Sequence, residues 1–251
     1  MSNVKIRKAI SYSIDREEMI DAVYGRYNPA YSYVAPAITF NGSSYRSQVG
    51  EVIEDEYNEY VGDPDKIVAL FQEGLDELGV ETPIEDITLT YLTSGSTTEV
   101  QAEREYIQQS LEETLGLTVE LSVAGDNSLF IADRNEGNYD FFLGGWYSDY
   151  NDPLDFLYTN YTDAYGMSFG GYSNTDYDAL ADQLVGETDM DKRLDIYKQM
   201  EQILLLDDCA FAPIYYATKQ VLLQNWVKDY RTSSFGASAE FIWTYIDGKN
   251  Q

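Results

Sequence analysis

The chain has 251 residues, 44% of them hydrophobic, which is enough for one large domain or two small ones with a proper core. Its 44 acidic against 16 basic side chains give a formal net charge of -28, a field that repels phosphate backbones and anionic lipid and so argues against nucleic-acid and charge-driven membrane-surface binding. With no His and one cysteine, Cys209, the chain lacks the commonest general base and can form no internal disulfide, Cys-rich zinc site or iron–sulfur cluster.

The first 25 residues read as two helical pieces. Val4, Ile6, Ala9 and Ile10 give a short apolar face, then Asp15 caps a run through Met19, Ile20 and Val23 that closes at Gly25. Residues 24–60, rich in Tyr, Asn, Gly and Pro, lack periodicity and are expected to form a long ordered loop. Asp63-Pro64 opens a helix whose apolar positions Ile67, Val68, Leu70, Phe71, Leu75 and Leu78 keep helical spacing up to Gly79. A strand over 87–92, a turn at Ser94-Gly95-Ser96, a helix from Thr97 or Thr98 to Leu115 and a strand over 117–123 make a βαβ unit, which places both strands in one parallel sheet.

A short helix over 127–136 and a third strand over 139–143 follow. Helices are expected over 152–158, from Asn174 to Leu184, and from Asp189 to about Asp207, with a polar, Gly-rich loop over 159–172. Residues 211–216 read as a strand with Pro213 near its start. From Trp226 on there is no periodicity, yet Tyr230, Phe235, Phe241, Trp243, Tyr245 and Ile246 carry too much apolar surface for a solvated tail. No 18-residue apolar run is present, and the opening residues lack a signal-peptide core.

The stretch Gly144-Gly145-Trp146-Tyr147-Ser148-Asp149-Tyr150-Asn151-Asp152-Pro153 is the candidate site. It ends the third strand, and strand ends carrying rings and acids, with glycines that let something approach the backbone, are where α/β domains hold ligands. A carboxylate beside rings in a closing cleft suits a cationic or zwitterionic ligand, so Asp149 is read as an ammonium anchor, with Trp146, Tyr147 and Tyr150 beside it. A turn or helix cap at Asp149 fits the spacing almost equally well. Asp152 and Asp155 fall at a helix N-terminus, where the dipole alone accounts for acids. Asp189-Asp191 and Asp207-Asp208 lack the alternating spacing of a calcium loop and read as caps. No catalytic motif, phosphate loop or dinucleotide fingerprint occurs, although an acid pair in a sugar cleft, as in glycoside hydrolases, stays open.

Taken in order, Val4-Lys5-Ile6-Arg7-Lys8-Ala9-Ile10-Ser11-Tyr12-Ser13-Ile14-Asp15-Arg16, Ile107-Gln108-Gln109-Ser110-Leu111-Glu112-Glu113, Gly137-Asn138-Tyr139-Asp140, the run from Gly145 to Pro153, Tyr172-Ser173-Asn174 to Tyr177-Asp178 and Ala212-Pro213-Ile214-Tyr215-Tyr216 resemble the C-terminal lobe of ABC-importer solute-binding proteins of the oligopeptide, dipeptide and nickel group. The resemblance implies an α/β lobe of the type II periplasmic-binding-protein kind, with a mixed, mostly parallel sheet flanked by helices. It implies that Gly145, Trp146 and Asp149 face a peptide, Asp149 taking its α-ammonium, with no catalysis, cofactor or metal. It also implies a two-lobed, extracellular or periplasmic receptor, lipid-anchored in its full-length form, that delivers peptide to a membrane permease. A nickel complex is the alternative cargo. Members of that group are about twice this length, so residues 1–225 are expected to be the ligand-binding lobe and 226–251 a segment returning to the N-terminal lobe.

Overall fold

The computed structural model describes residues 1–162, 164, 171–237 and 239–249. Side chains acting as caps start the first helices: Asn3 accepts the Lys5 N–H at 2.8 Å ahead of α1 (Val4–Tyr12), and Asp15 accepts the Glu18 N–H at 3.0 Å ahead of α2 (Arg16–Val23). Residues 24–60 are not the unbroken loop expected. They hold β1 (Asn28–Pro29), a small hairpin of β2 (Thr39–Phe40) and β3 (Ser43–Ser44), and two helices, α3 (Tyr45–Val49) and α4 (Glu54–Tyr60).

The next stretch follows its local signals closely. Asp63 caps α5 (Pro64–Leu78), which ends where Gly79 takes φ 68°, and Thr97 caps α6 (Thr98–Leu115) between β4 (Thr88–Ser94) and β5 (Thr118–Ala124). Then come α7 (Asn127–Glu136), β6 (Phe141–Phe142), α8 (Leu154–Leu157), α9 (Thr175–Gln183) and α10 (Met190–Gln202), the last continuing as a π-helical turn over Ile203–Asp207. β7 (Tyr215–Tyr216), β8 (Val227–Lys228) and β9 (Tyr245–Ile246) complete the chain. The loop expected over 159–172 falls largely on residues 163 and 165–170, outside the described residues.

β5, β4 and β6 form the central sheet in that order, parallel throughout, with β4 and β5 in register from Thr88–Thr118 to Ser94–Ala124. Among the described residues, the antiparallel strand pairs are separate two-stranded ribbons, β1 with β7, β2 with β3 and β8 with β9. The third strand is shorter than its apolar run predicts. Asp140 donates its N–H to the Thr90 carbonyl at 2.9 Å and accepts the Thr90 N–H on Oδ2 at 2.8 Å, so a side chain replaces a ladder bond at the start of β6. Residues 211–214 likewise leave only Tyr215–Tyr216 as a strand.

The interior has two apolar clusters. One joins α1, α5, α6 and the sheet through Ile6, Ala9, Phe71, Leu75, Tyr91 and Leu111. There α1 crosses α5 at Gly74, where any Cβ would stand 2.7 Å from Ile6 Cγ1. The other gathers Tyr45, Ile53, Leu157, Tyr177, Tyr197 and Met200 from the first loop and the late helices. Arg16, fully buried, ties distant segments together: it donates to the carbonyls of Ala30 at 3.1 Å and Pro213 at 2.7 Å, and its guanidinium lies 4.3 Å from the Tyr57 ring centroid. Among the described residues no helix is long and apolar enough to cross a membrane.

Candidate functional site

The parallel strands all point toward one edge, and the chain leaves β6 there through Leu143, Gly144 and Gly145. A cavity of about 580 Å³ opens beside this strand end, lined mainly by apolar side chains that include Ile10, Tyr91, Phe141 and Phe211. Cys209 also lines it, its thiol pushed up to about 11 by burial and therefore un-ionised at neutral pH. Of the five predicted site residues only Gly145 borders this cavity. Open space faces its backbone, because a Cβ built there meets nothing within 4 Å.

Trp146, Tyr147, Asp149 and Tyr150 form the adjoining surface loop. Trp146 is half-buried against the second apolar cluster, Tyr147 is 82% exposed, and Asp149 and Tyr150 are exposed as well. The Asp149 carboxylate has no hydrogen-bond or ion-pair partner among the described residues. It caps no helix. Asp152 does that work, accepting the Leu154 N–H at 2.8 Å and the Tyr197 hydroxyl at 2.8 Å on the same oxygen, with the Arg193 guanidinium 3.5 Å from its other one.

Asp155 is the residue that sequence reasoning assigned only to a helix dipole. Buried at 6% exposure on α8, it accepts the Trp146 indole N–H at 3.0 Å and the Asp149 backbone N–H at 2.9 Å, both on Oδ2. One carboxylate thus sets the ring and the main chain of the loop together, a charge-assisted arrangement stronger than a neutral pair. Asn151 fastens the far end, accepting the Thr39 N–H at 2.8 Å and donating to its hydroxyl at 2.6 Å. Ser148, between exposed neighbours, is only 5% exposed because the C-terminal segment lies over it, with Gly236 donating its N–H to the Ser148 carbonyl at 2.7 Å. No local signal marks that contact in the sequence.

A loop tied by Asp155 at the Trp146 indole and the Asp149 amide, with the Asp149 residue exposed and open backbone at Gly145, can bind a positively charged or zwitterionic group. Among the described residues no group of three or more His, Cys, Asp or Glu side chains is placed to hold a metal ion.

Comparison with known proteins agrees with this architecture. Residues 1–168 match the model of the bacterial extracellular solute-binding proteins, family 5 Middle. The oligopeptide-binding protein OppA of Bacillus subtilis is 31% identical over 237 residues, 91% of this chain and 39% of its own length. The dipeptide-binding protein DppE of the same organism is 32% identical over 225 residues, 89% of this chain and 39% of its own. Among solved structures, Listeria monocytogenes OppA bound to peptide superposes with a TM-score of 0.77 at 31% identity, covering 97% of this chain and 45% of that one. The fold is therefore that of a type II periplasmic-binding-protein lobe, and the chain spans about two-fifths of the length of the curated relatives it matches, 39% in both cases. Strand ends, loop and matched family converge on one statement: the chain belongs to the family 5 bacterial extracellular solute-binding proteins.

Proposed function

We propose that this chain is the C-terminal lobe of a two-lobed receptor that captures peptides for an ABC importer and carries out no catalysis. Asp149 pairs with the peptide α-ammonium, the open backbone at Gly145 meets the peptide main chain, and Trp146, Tyr147 and Tyr150 offer rigid ring surface that tolerates varied side chains. Residues 1–225 are the ligand-binding lobe, and 226–251 return toward the other lobe. The exposed apolar side chains of that last segment, among them Phe241 at 68%, Ile242 at 82% and Trp243 at 59%, support a surface made to be covered. The receptor works outside the cytoplasmic membrane, held there by a lipid anchor, and hands its ligand to a membrane permease. Closure of one lobe on the other would strengthen the Asp149 pair by excluding water.

The observation that carries this reading is the exposed, unpaired carboxylate of Asp149 on a loop whose ring and amide are both fixed by Asp155. Asp149→Asn in the two-lobed receptor tests it. Free-amino peptides should lose roughly a hundredfold in affinity, the scale expected when one partner of a buried charge pair is removed, while N-acetylated peptides lose little. Equal losses for both would remove the assigned role.

A further inference from the structure

We propose that Gly236 is a positioning residue for the ligand loop, clamping from the C-terminal ribbon the peptide plane that aims Asp149. The inference rests on the ammonium-anchor reading of Asp149 given above. The carbonyl of Ser148 and the N–H of Asp149 belong to one peptide unit. Gly236 donates to the first at 2.7 Å, and Asp155 accepts from the second at 2.9 Å. A planar unit held at both its oxygen and its hydrogen resists rotation, which fixes ψ of Ser148 and φ of Asp149 and so the course of the backbone at Asp149. The backbone from which the Asp149 side chain departs is thereby held by two clamps, one local and one contributed from far along the chain.

The distant clamp is built for this contact. β8 and β9 pair antiparallel, and a further bridge joins Arg231 and Glu240, so Gly236, which lies between the two sides, stands at the tip of a ribbon. Gly236 has φ +63°, and a Cβ there would lie 3.2 Å from the Asp149 carbonyl oxygen. Both the left-handed backbone and the close approach call for glycine. Because the ribbon also carries the exposed rings of Phe241 and Trp243, the element that orients the ligand loop is the same one whose apolar flank awaits cover. Displacement of the ribbon therefore reaches the carboxylate through a single backbone bond.

Gly236→Ala tests the clamp by hydrogen-exchange NMR on the 251-residue chain. The Asp149 amide should exchange about tenfold faster, the scale of one net hydrogen bond, and the Trp146 indole resonance should shift, while amides of β4 and β5 keep their rates. Unchanged exchange at Asp149 overturns the inference. Amides of β8 and β9, read in the same spectra, reveal a variant whose ribbon has come away, and Gly236→Asn, which better tolerates left-handed φ, then replaces it. In the two-lobed receptor, a tripeptide library with free amino ends should bind about tenfold more weakly to the variant, with the N-acetylated library unaffected. A wild type that does not distinguish the two libraries strikes the reading of Asp149. A wild type that distinguishes them, with a variant that does so equally, strikes Gly236 alone.

Discussion

Two buried glutamates show how differently the two halves of the interior are held. Glu201, with no exposure, sits in the second apolar cluster and is fully engaged: it pairs with Arg46, accepts the Tyr45 hydroxyl at 3.0 Å, and accepts the backbone N–H groups of Tyr33 and Val34 at 3.2 and 3.1 Å. Glu103, 3% exposed on α6 beside the sheet, has one of its two oxygens, Oε1, without a hydrogen-bond partner among the described residues. The sheet body stands on apolar packing between periodic elements and tolerates an ill-served carboxylate. The other body also has an apolar cluster, but its first loop is fastened to the late helices through one buried charge that serves four donors.

The strongest way to break this contrast is at Glu201. Glu201→Ala leaves the Arg46 guanidinium and two backbone N–H groups buried without their acceptor and should cost about 3–5 kcal/mol in urea unfolding. Replacing Arg46 and Glu201 together by apolar residues of similar volume should cost far less, because no charge is then stranded. Leu111→Ala, at a fully buried position of α6, comes next, with a loss of about 2–5 kcal/mol set by the cavity it leaves, and Leu111→Met should recover most of it. If the alanine variant at Leu111 proves costlier than the one at Glu201, the contrast between the two bodies fails.

The smallest effect sharpens the comparison through pH. Burial holds the Glu103 carboxyl above its ordinary value of 4.5, an effect partly opposed by hydrogen bonds with Tyr215 and Tyr24. The folded state therefore keeps a proton that the unfolded chain has already released. Stability from this group is fully present below the ordinary carboxylate value and is lost as pH rises through the raised folded one. Glu103→Gln should remove that decline, so its urea midpoint should gain on the wild type as pH rises above the ordinary carboxylate value. Parallel curves for the two proteins would show that Glu103 is as well served as Glu201.

The same division explains what could be read in the sequence. α5 and α6 announce themselves through Asp63-Pro64, Gly79, Thr97 and Gly116, all local signals that the structure uses as caps. α3 carries a Ser44 cap and ends at Gly50, but at five residues it shows no periodicity, and the loop around it and α4 is held in part by the carboxylate of Glu201, far along the chain, and by the Tyr31 carbonyl, which accepts from Val52 and Ile53. At the site, the Gly145–Asp149 motif was legible as a strand end with rings and an acid. The role of Asp155 was not, since an acid in a first helical turn needs no further reason, and the contact from Gly236 leaves no trace in local pattern.

Arg16 carries a consequence for how the molecule comes into being. Its guanidinium finds its shortest bond at the Pro213 carbonyl, 197 residues further along and close to where β7 pairs with β1. Until the stretch around Pro213 has been made, α1 and α2 hold a cation that their own neighbourhood only partly solvates, so their final seating waits on it. A nascent chain stalled before Pro213 would therefore be an incomplete fold with α1 and α2 unsettled, the species on which a chaperone or a protease would act.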